Sequence, residues 1–421
     1  MRRVLRIVLL AALALIAASI LWPRAPDLGR PQFFADRTYD FETIRVLSDN
    51  SVAGGDTNEA AQAIAGVKAG DAQGWYAAWK AAGDRAVDLS SRTQDPIDKG
   101  NALLRAHTYY RASEFFLAPK DPQRPAVWKA NVDAFYSALD VLGVAHERIV
   151  IPYGQHHLNA VYYPGPTGAQ ARPLLVVVGG YDSTMEELYL HIAAAAYRHG
   201  YAVLTYEGPG QGSVIREQGL IFQSDWERPN AAVLDTFLAS HPRPAKIVLL
   251  GESLGGYLAP RAAAFEPRID GVVAYDVFYD GYAIATRGVP PIAFWLRQHG
   301  YNKVLNYLAG LNTDPGSNWA QQNGKWVFGV DDSFALLDAF KAYRLAPVAD
   351  RIQADVLAFA GADDHFVPAG QIDQFSKSLT HARSVTPIVF DRASGGSQHC
   401  QLGAPSVWQG ALFDWLHAKF P

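Results

Sequence analysis

The stretch Ile247-Val248-Leu249-Leu250-Gly251-Glu252-Ser253-Leu254-Gly255-Gly256 constrains the fold of this chain more than any other. An apolar run stops abruptly at Gly-Glu-Ser-Leu-Gly, and a helix-like segment, Tyr257 to Phe265, follows at once. Strand, sharp turn and helix form the setting in which G-x-S-x-G holds a serine in a strained conformation with its hydroxyl exposed. Strand and helix nearly collide two residues to either side of that serine, so both positions must be small. Gly251 and Gly255 meet that demand.

The rest of the chain is consistent with such a turn. From Glu147 onwards strand and helix signals alternate. Arg148 to Tyr153 and Leu158 to Tyr163 read as an antiparallel pair, followed by strands at 174–178, 202–206, 247–250, 271–275, 356–360 and 385–390. Helices are expected between them at 186–198, 229–239 and 407–420. Continuous Val/Ile/Leu runs separated by helices predict an α/β fold, a mostly parallel sheet covered on both faces. Between about 277 and 348 the alternation breaks into an aromatic-rich stretch too long for a loop, which predicts a helical cap inserted over the sheet.

Upstream, residues 58–145 carry helical spacing and no strand signal, with helices expected at 74–90, 96–117 and 126–142. They predict a helical accessory domain before the catalytic domain at 146–421. Residues 23–57 read as a tether. Residues 1–22 pair a basic start, Arg2, Arg3 and Arg6, with an apolar run to Trp22. That is the pattern of a signal peptide or signal anchor. It predicts export, either to the periplasm or on a membrane anchor through residues 4–22 facing away from the cytoplasm.

A formal net charge of −4 offers no electrostatic footprint for nucleic acid. The single cysteine, Cys400, excludes an internal disulfide and any multi-cysteine metal site. No metal and no cofactor is called for. A small-molecule carbonyl compound is the expected partner, and a homodimer remains open.

A serine hydroxyl needs a base to remove its proton, and that base needs an orienting carboxylate. With the order serine, acid, histidine, the acid belongs after a late strand. Val356 to Pro368 supplies Asp363 and Asp364, of which Asp364 fits the strand-end pattern. The histidine belongs on the loop before the last helix, where Ser394 to Cys400 offers His399. His156, His157 and His365 are rivals in the wrong order or beside the acid. A tetrahedral oxyanion needs two backbone N–H donors. Leu254 supplies one, and Tyr181, in the turn Gly179-Gly180-Tyr181-Asp182-Ser183, supplies the other. The turn Glu207-Gly208-Pro209-Gly210-Gln211-Gly212 lacks the G-K-[ST] of a phosphate loop.

Together these segments resemble one branch of the α/β-hydrolase superfamily. It contains the fermentation-respiration-switch-type esterases, dihydroxypseudooxynicotine hydrolase and the fungal polyketide-shortening hydrolases. Trp75 and Arg111-Ala112-Ser113 are similar to that branch's N-terminal domain, whereas Glu252 replaces the arginine often found before the serine. The resemblance implies an ester hydrolase, or one that cleaves carbon–carbon bonds next to ketones, with helical domain and cap closing a pocket over Ser253. Carbon–carbon cleavage must stabilise a leaving carbanion, and Asp182, Glu207, Asp276 and Tyr279 are the candidate pocket residues for that task. A prolyl-oligopeptidase-like peptidase and a non-catalytic binding protein on the same fold are the alternatives.

Overall fold

The uninterrupted apolar runs become the interior of a single sheet. In the computed structural model, which describes residues 32–310 and 314–421, the strands are β1 (Glu147–Tyr153), β2 (His156–Tyr163), β3 (Leu174–Val178), β4 (Val203–Glu207), β5 (Ile247–Glu252), β6 (Gly271–Tyr275), β7 (Asp355–Gly361) and β8 (Ser384–Phe390). Their order is β1-β2-β4-β3-β5-β6-β7-β8. Only β2 pairs antiparallel, with β1 and β4, and the remaining pairs are parallel. Strands β3 to β7 are buried along their whole length, while β1 and β8, at the edges, are partly exposed. This is the predicted α/β class.

Period-two alternation divides the sheet's side chains between two cores. Val176, Val178, Leu249, Val272 and Val356 face the helices Glu227–Ser240 and Gly255–Ala263 and the cap residues Phe328, Phe340 and Tyr343. Leu175, Val177, Leu250, Val273 and Leu357 face the C-terminal helix Pro405–Lys419. Phe41, Leu104, Phe135 and Leu139, from the N-terminal helices, pack onto this second face as well. The upstream helical region therefore shares the sheet's core. It also has a core of its own around Tyr39, Trp75, Trp79 and Tyr109.

The tether read over residues 23–57 is corrected from residue 37 onwards. Arg37–Ser48 is a helix, capped by Asp36 through the N–H groups of Thr38 and Tyr39 at 3.0 and 2.9 Å. Ten of its twelve residues are buried, so it is a wedge between the helical region and the sheet. The wedge carries Asp40, Glu42 and Arg45, charges that look solvated in sequence but are buried here. The leader and membrane anchor expected within residues 1–22 lie outside the described residues. Among the described residues, no helix is long and apolar enough to cross a membrane.

The region between β6 and β7 is helical, with helices Gly281–Ala285, Pro291–Gln298, Asn302–Gly310, Pro315–Val327 and Ser333–Ala339. Two short helices, Gly212–Gln218 and Gln371–Ser378, were not anticipated. The helix expected over 186–198 contains a π turn, Tyr189–Ala193, before Ala194–Arg198. Such turns re-aim side chains and recur at functional sites.

Candidate active site

Ser253 adopts φ 60°, in the left-handed region. That conformation costs a non-glycine residue roughly 1–3 kcal/mol and persists only where the surroundings enforce it. Here the enforcement is contact between strand and helix. A Cβ on Gly251 would lie 1.9 Å from the Gly255 carbonyl oxygen, and one on Gly255 would lie 2.8 Å from that of Val178. No larger residue fits at either position.

The tip of the turn presents Ser253 Oγ to His399 Nε2 at 2.8 Å. On the other side of the ring, Nδ1 lies 2.6 Å from Asp364 Oδ2. The second oxygen of Asp364 accepts the N–H groups of Phe366 and Val367 at 2.7 and 2.9 Å, which fixes the carboxylate plane. Neighbouring Asp363 turns outward to Arg392 at 2.7 and 2.9 Å, so one member of the acidic pair reaches the histidine. Burial opposes a charge on His399, but the Asp364 carboxylate and its hydrogen bond outweigh burial and raise the imidazole above its ordinary value. Burial likewise pushes Asp364 up, and His399 more than reverses this. Phe41, from the N-terminal wedge, brings its ring centroid to 6.1 Å from that of His399 and 5.5 Å from that of Phe366. The His365 ring packs against Phe41 and Phe366, and burial holds it far below its usual range.

The glycine turn after β3 lies directly against the elbow. A Cβ on Gly180 would fall 2.8 Å from Ser253 Cβ and 2.9 Å from the Leu254 nitrogen. Ser183 Oγ accepts the Gly180 N–H at 2.9 Å and tightens the turn, while Thr184 Oγ1 accepts the Glu187 N–H at 3.2 Å. Gln211, which the sequence did not single out, holds the turn from the other side. Its Nε2 donates to the carbonyls of Gly179 and Gly180 at 2.8 and 3.1 Å, and its Oε1 accepts the Gly208 N–H at 2.9 Å. The cap pins Tyr181 in turn: its hydroxyl donates to Ala320 O at 2.6 Å, and Asn323 Nδ2 donates to its carbonyl at 3.3 Å. These contacts hold Gly180 against Ser253 and the Leu254 nitrogen, with Tyr181 next in the chain.

The four candidate pocket residues separate in space. Asp182 lines a cavity between the helix Pro96–Glu114, the Tyr181 turn and the cap helix Pro315–Val327. Ser253 is not among its lining residues, and Tyr181 and Asp182 connect the cavity to the site. Glu207 is buried, and its oxygens accept from Met185 N (3.1 Å), Ser213 N (2.8 Å) and Ser213 Oγ (2.6 Å), so it builds a turn. Tyr279 is held through its main chain by Gln371, with its ring near Phe375. Asp276 stands nearest to His399: its Oδ2 is 3.9 Å from His399 Nδ1, and it accepts from Cys400 N and Gln401 Nε2, each at 3.0 Å. Burial, then repulsion from Asp364, raises the Asp276 carboxyl.

Asp276, His399 and Cys400 bring three donor atoms within 4.8 Å of one another. The cluster does not suit a cation. His399 is engaged with Ser253 and Asp364, and burial pushes the Cys400 thiol far up.

A second charged group lies directly behind the elbow. Glu252 meets His191 Nδ1 at 3.0 Å, and His191 Nε2 stands 3.5 Å from Asp49 and 3.7 Å from Glu187, at ion-pair distance without hydrogen-bond alignment. Glu187 receives a two-pronged contact from Arg45, Nε to Oε1 at 2.8 Å and Nη2 to Oε2 at 2.7 Å. Arg45 Nη1 also reaches Asp182 at 2.7 Å. Burial opposes the imidazolium, yet Glu252 and the other acids raise His191 to about 9. The Glu187–His191 spacing of four residues is the one sequence signal that could have pointed to this group.

Residues 174–405 match the alpha/beta hydrolase family. A hydrolase of Aspergillus aculeatus is 32% identical over 92% of this chain and 98% of its own length. A 20-hydroxy-prefusarin hydrolase of Gibberella moniliformis is 31% identical over 92% and 97%. Among solved structures, a 2,6-dihydroxy-pseudo-oxynicotine hydrolase superposes with a TM-score of 0.68 at 20% identity, covering 89% of this chain and 94% of that one.

Proposed function

The chain belongs to the alpha/beta hydrolase family, and from that premise we propose that it is a serine hydrolase with Ser253, His399 and Asp364 as its catalytic residues. The observation that carries the proposal is the unbroken chain from Ser253 Oγ through the His399 ring to Asp364. Ser253 attacks a carbonyl carbon while His399 Nε2 takes its proton. Charge develops on the carbonyl oxygen and is met by the N–H groups of Leu254 and Tyr181. The imidazolium, stabilised by Asp364, then returns the proton to the leaving group, and water repeats the sequence to release the acid.

The substrate we propose is an apolar or aromatic carbonyl compound, an ester or a ketone with a cleavable adjacent carbon–carbon bond. Phe115, Trp319 and Trp326 along the neighbouring cavity support a flat, apolar body. The relative named for hydrolysis of 20-hydroxy-prefusarin supports a small organic molecule.

A fluorophosphonate probe tests the nucleophile. Labelling of folded wild type at Ser253, lost in Ser253→Ala, is expected. Absence of labelling on Ser253, or esterase activity above ~1% in the variant, sinks the assignment, because losing a triad serine costs several orders of magnitude. Screening short-chain esters against aryl β-diketones separates the two bond types.

A further inference from the structure

We propose that Asp276 is a positioning residue for the catalytic base: it clamps the main chain directly after His399 and sets a second carboxylate on the Nδ1 side of that ring. The assignment rests on the serine-hydrolase reading above and adds a residue to it.

The residues after His399 need such a clamp. Cys400 and Gln401 adopt φ 49° and 45°, two consecutive side-chain-bearing residues in the left-handed region. Backbone of that kind persists only where its surroundings enforce it. The end of β6 does so on both sides of Cys400. Asp276 Oδ2 accepts the Cys400 N–H at 3.0 Å, and the Tyr275 hydroxyl donates to the Cys400 carbonyl. Asp276 Oδ1 accepts Gln401 Nε2, also at 3.0 Å. The same two residues lie against the nucleophile elbow. Ser253 N donates to Tyr275 O at 2.5 Å, and a Cβ on Gly256 would collide with Asp276 O. Ser253 and His399 are 146 residues apart in the chain. The end of β6 grips both segments, so it sets the spacing between nucleophile and base.

A neutral amide would serve as a clamp alone, and a buried carboxylate is costly. Asp276 is only 1% exposed, and burial with repulsion from Asp364 raises it to about 7. The group on which its charge acts is His399: Oδ2 stands 3.9 Å from Nδ1, beyond hydrogen bonding and within Coulombic reach. The other groups facing the ring are committed. Asp364 is bonded to Nδ1, Glu252 is paired with His191, burial keeps His365 neutral, and burial keeps the Cys400 thiol protonated. The wedge and the cap contribute Arg37 and Arg287, which are bonded to the carbonyls of Asp363 and His365. Asp276 therefore adds to the field that favours the imidazolium formed when His399 takes the serine proton.

Two variants separate clamp from charge. Asp276→Asn keeps an acceptor for Cys400 N and removes the charge. Gln401 can turn its amide so that Oε1, which has no hydrogen-bond partner, receives the new N–H group. The kcat/KM profile of this variant on 4-nitrophenyl butyrate should climb at a pH lower than wild type's by about half a unit or more, because one carboxylate fewer holds the imidazole proton. Asp276→Ala loses the clamp as well. It should lower kcat on the pH plateau by about 10²-fold with KM within about twofold, the scale of a misplaced catalytic group, and Asp276→Asn should recover most of that loss. A folded Asp276→Asn with the wild-type midpoint, or a folded Asp276→Ala with wild-type kcat, overturns the proposal. If Asp276→Ala does not fold, the midpoint of Asp276→Asn decides. Nitrogen NMR of histidine-labelled protein reads that midpoint without turnover, with the His399 signal assigned by its loss in His399→Gln. A lowered midpoint there, in protein whose Ser253 resists fluorophosphonate, fails the nucleophile assignment and leaves Asp276 positioning His399. An unmoved His399 titration in protein that labels at Ser253 fails this proposal alone.

Discussion

Two buried histidines approach the nucleophile elbow from opposite sides, and they are built for opposite purposes. His399 has a hydroxyl at one ring nitrogen and a carboxylate at the other. His191 has carboxylates around both, Glu252 at Nδ1 and Asp49 and Glu187 near Nε2. An imidazole between a hydroxyl and an acid can exchange a proton with its neutral partner. One surrounded by acids keeps its proton and acts as a fixed cation. The residue type is the same in both places, and the partner set decides whether it can serve as a base or as a buried counter-ion. Glu252, where the resembling branch often has arginine, is what makes the second arrangement work.

The largest separation between the two comes from truncating each. His399→Ala should lower kcat by about 10⁴-fold with the thermal midpoint nearly kept, since removing a triad member leaves only oxyanion stabilisation and binding. His191→Ala should do the reverse. It strands Glu252, and breaking a buried ion network by removing one partner costs about 3–5 kcal/mol. Calorimetric unfolding beside steady-state kinetics reads both. A large kcat loss in His191→Ala with unchanged stability would erase the distinction.

Changing pH sharpens the comparison further. His191 is raised to about 9 from an ordinary value of 6.5, so its stabilising contribution is complete below pH 6.5 and lost as pH rises through 9. A shift of that size corresponds to at most about 3 kcal/mol. Denaturant unfolding at pH 6 and pH 9.5 should show the decline, and His191→Gln should flatten it. Activity should run the other way over the lower part of the same range. His399 acts as a base only when neutral, and its value is raised, so kcat/KM should climb with pH through a midpoint above about 6.5.

The smallest effect concerns the glycine turn that both sides share. Gln211→Ala removes the donor to Gly179 O and Gly180 O. It should reduce kcat by roughly tenfold with little change in KM, because a loosened turn misplaces an N–H that matters only in the transition state. Equal loss in binding of ground-state analogues would mean that Gln211 serves packing instead.

How much of this was legible depended on how far apart the participating residues lie in the chain. Gly251 to Gly256, the turn Gly179-Gly180-Tyr181 and the loops carrying Asp364 and His399 are each short, contiguous patterns at strand ends, and sheet topology aligns strand ends. The charged group around His191 draws on residues 45, 49, 111, 187, 191 and 252, which are spread over separate elements and share no local pattern beyond the Glu187–His191 spacing. The helix Arg37–Ser48 was missed for a related reason. Its Glu42 and Arg45 look like solvent-facing residues until their partners are known. Glu207 drew attention as an acid next to glycines, but its oxygens are committed to Ser213 and Met185.

Hydrophobic period and glycine placement act over a few neighbouring residues, so the α/β class, the sharp turn at Ser253 and the order of acid and histidine after it were legible in the chain alone. Only the tertiary structure turned Asp363 out to Arg392 and left Asp364, the aspartate the strand-end pattern favoured, against His399. It also decided which of two buried histidines has a hydroxyl for a partner. Those outcomes depend on distances between segments far apart in the chain, and a side chain's charge and proton affinity are set by what surrounds it in space.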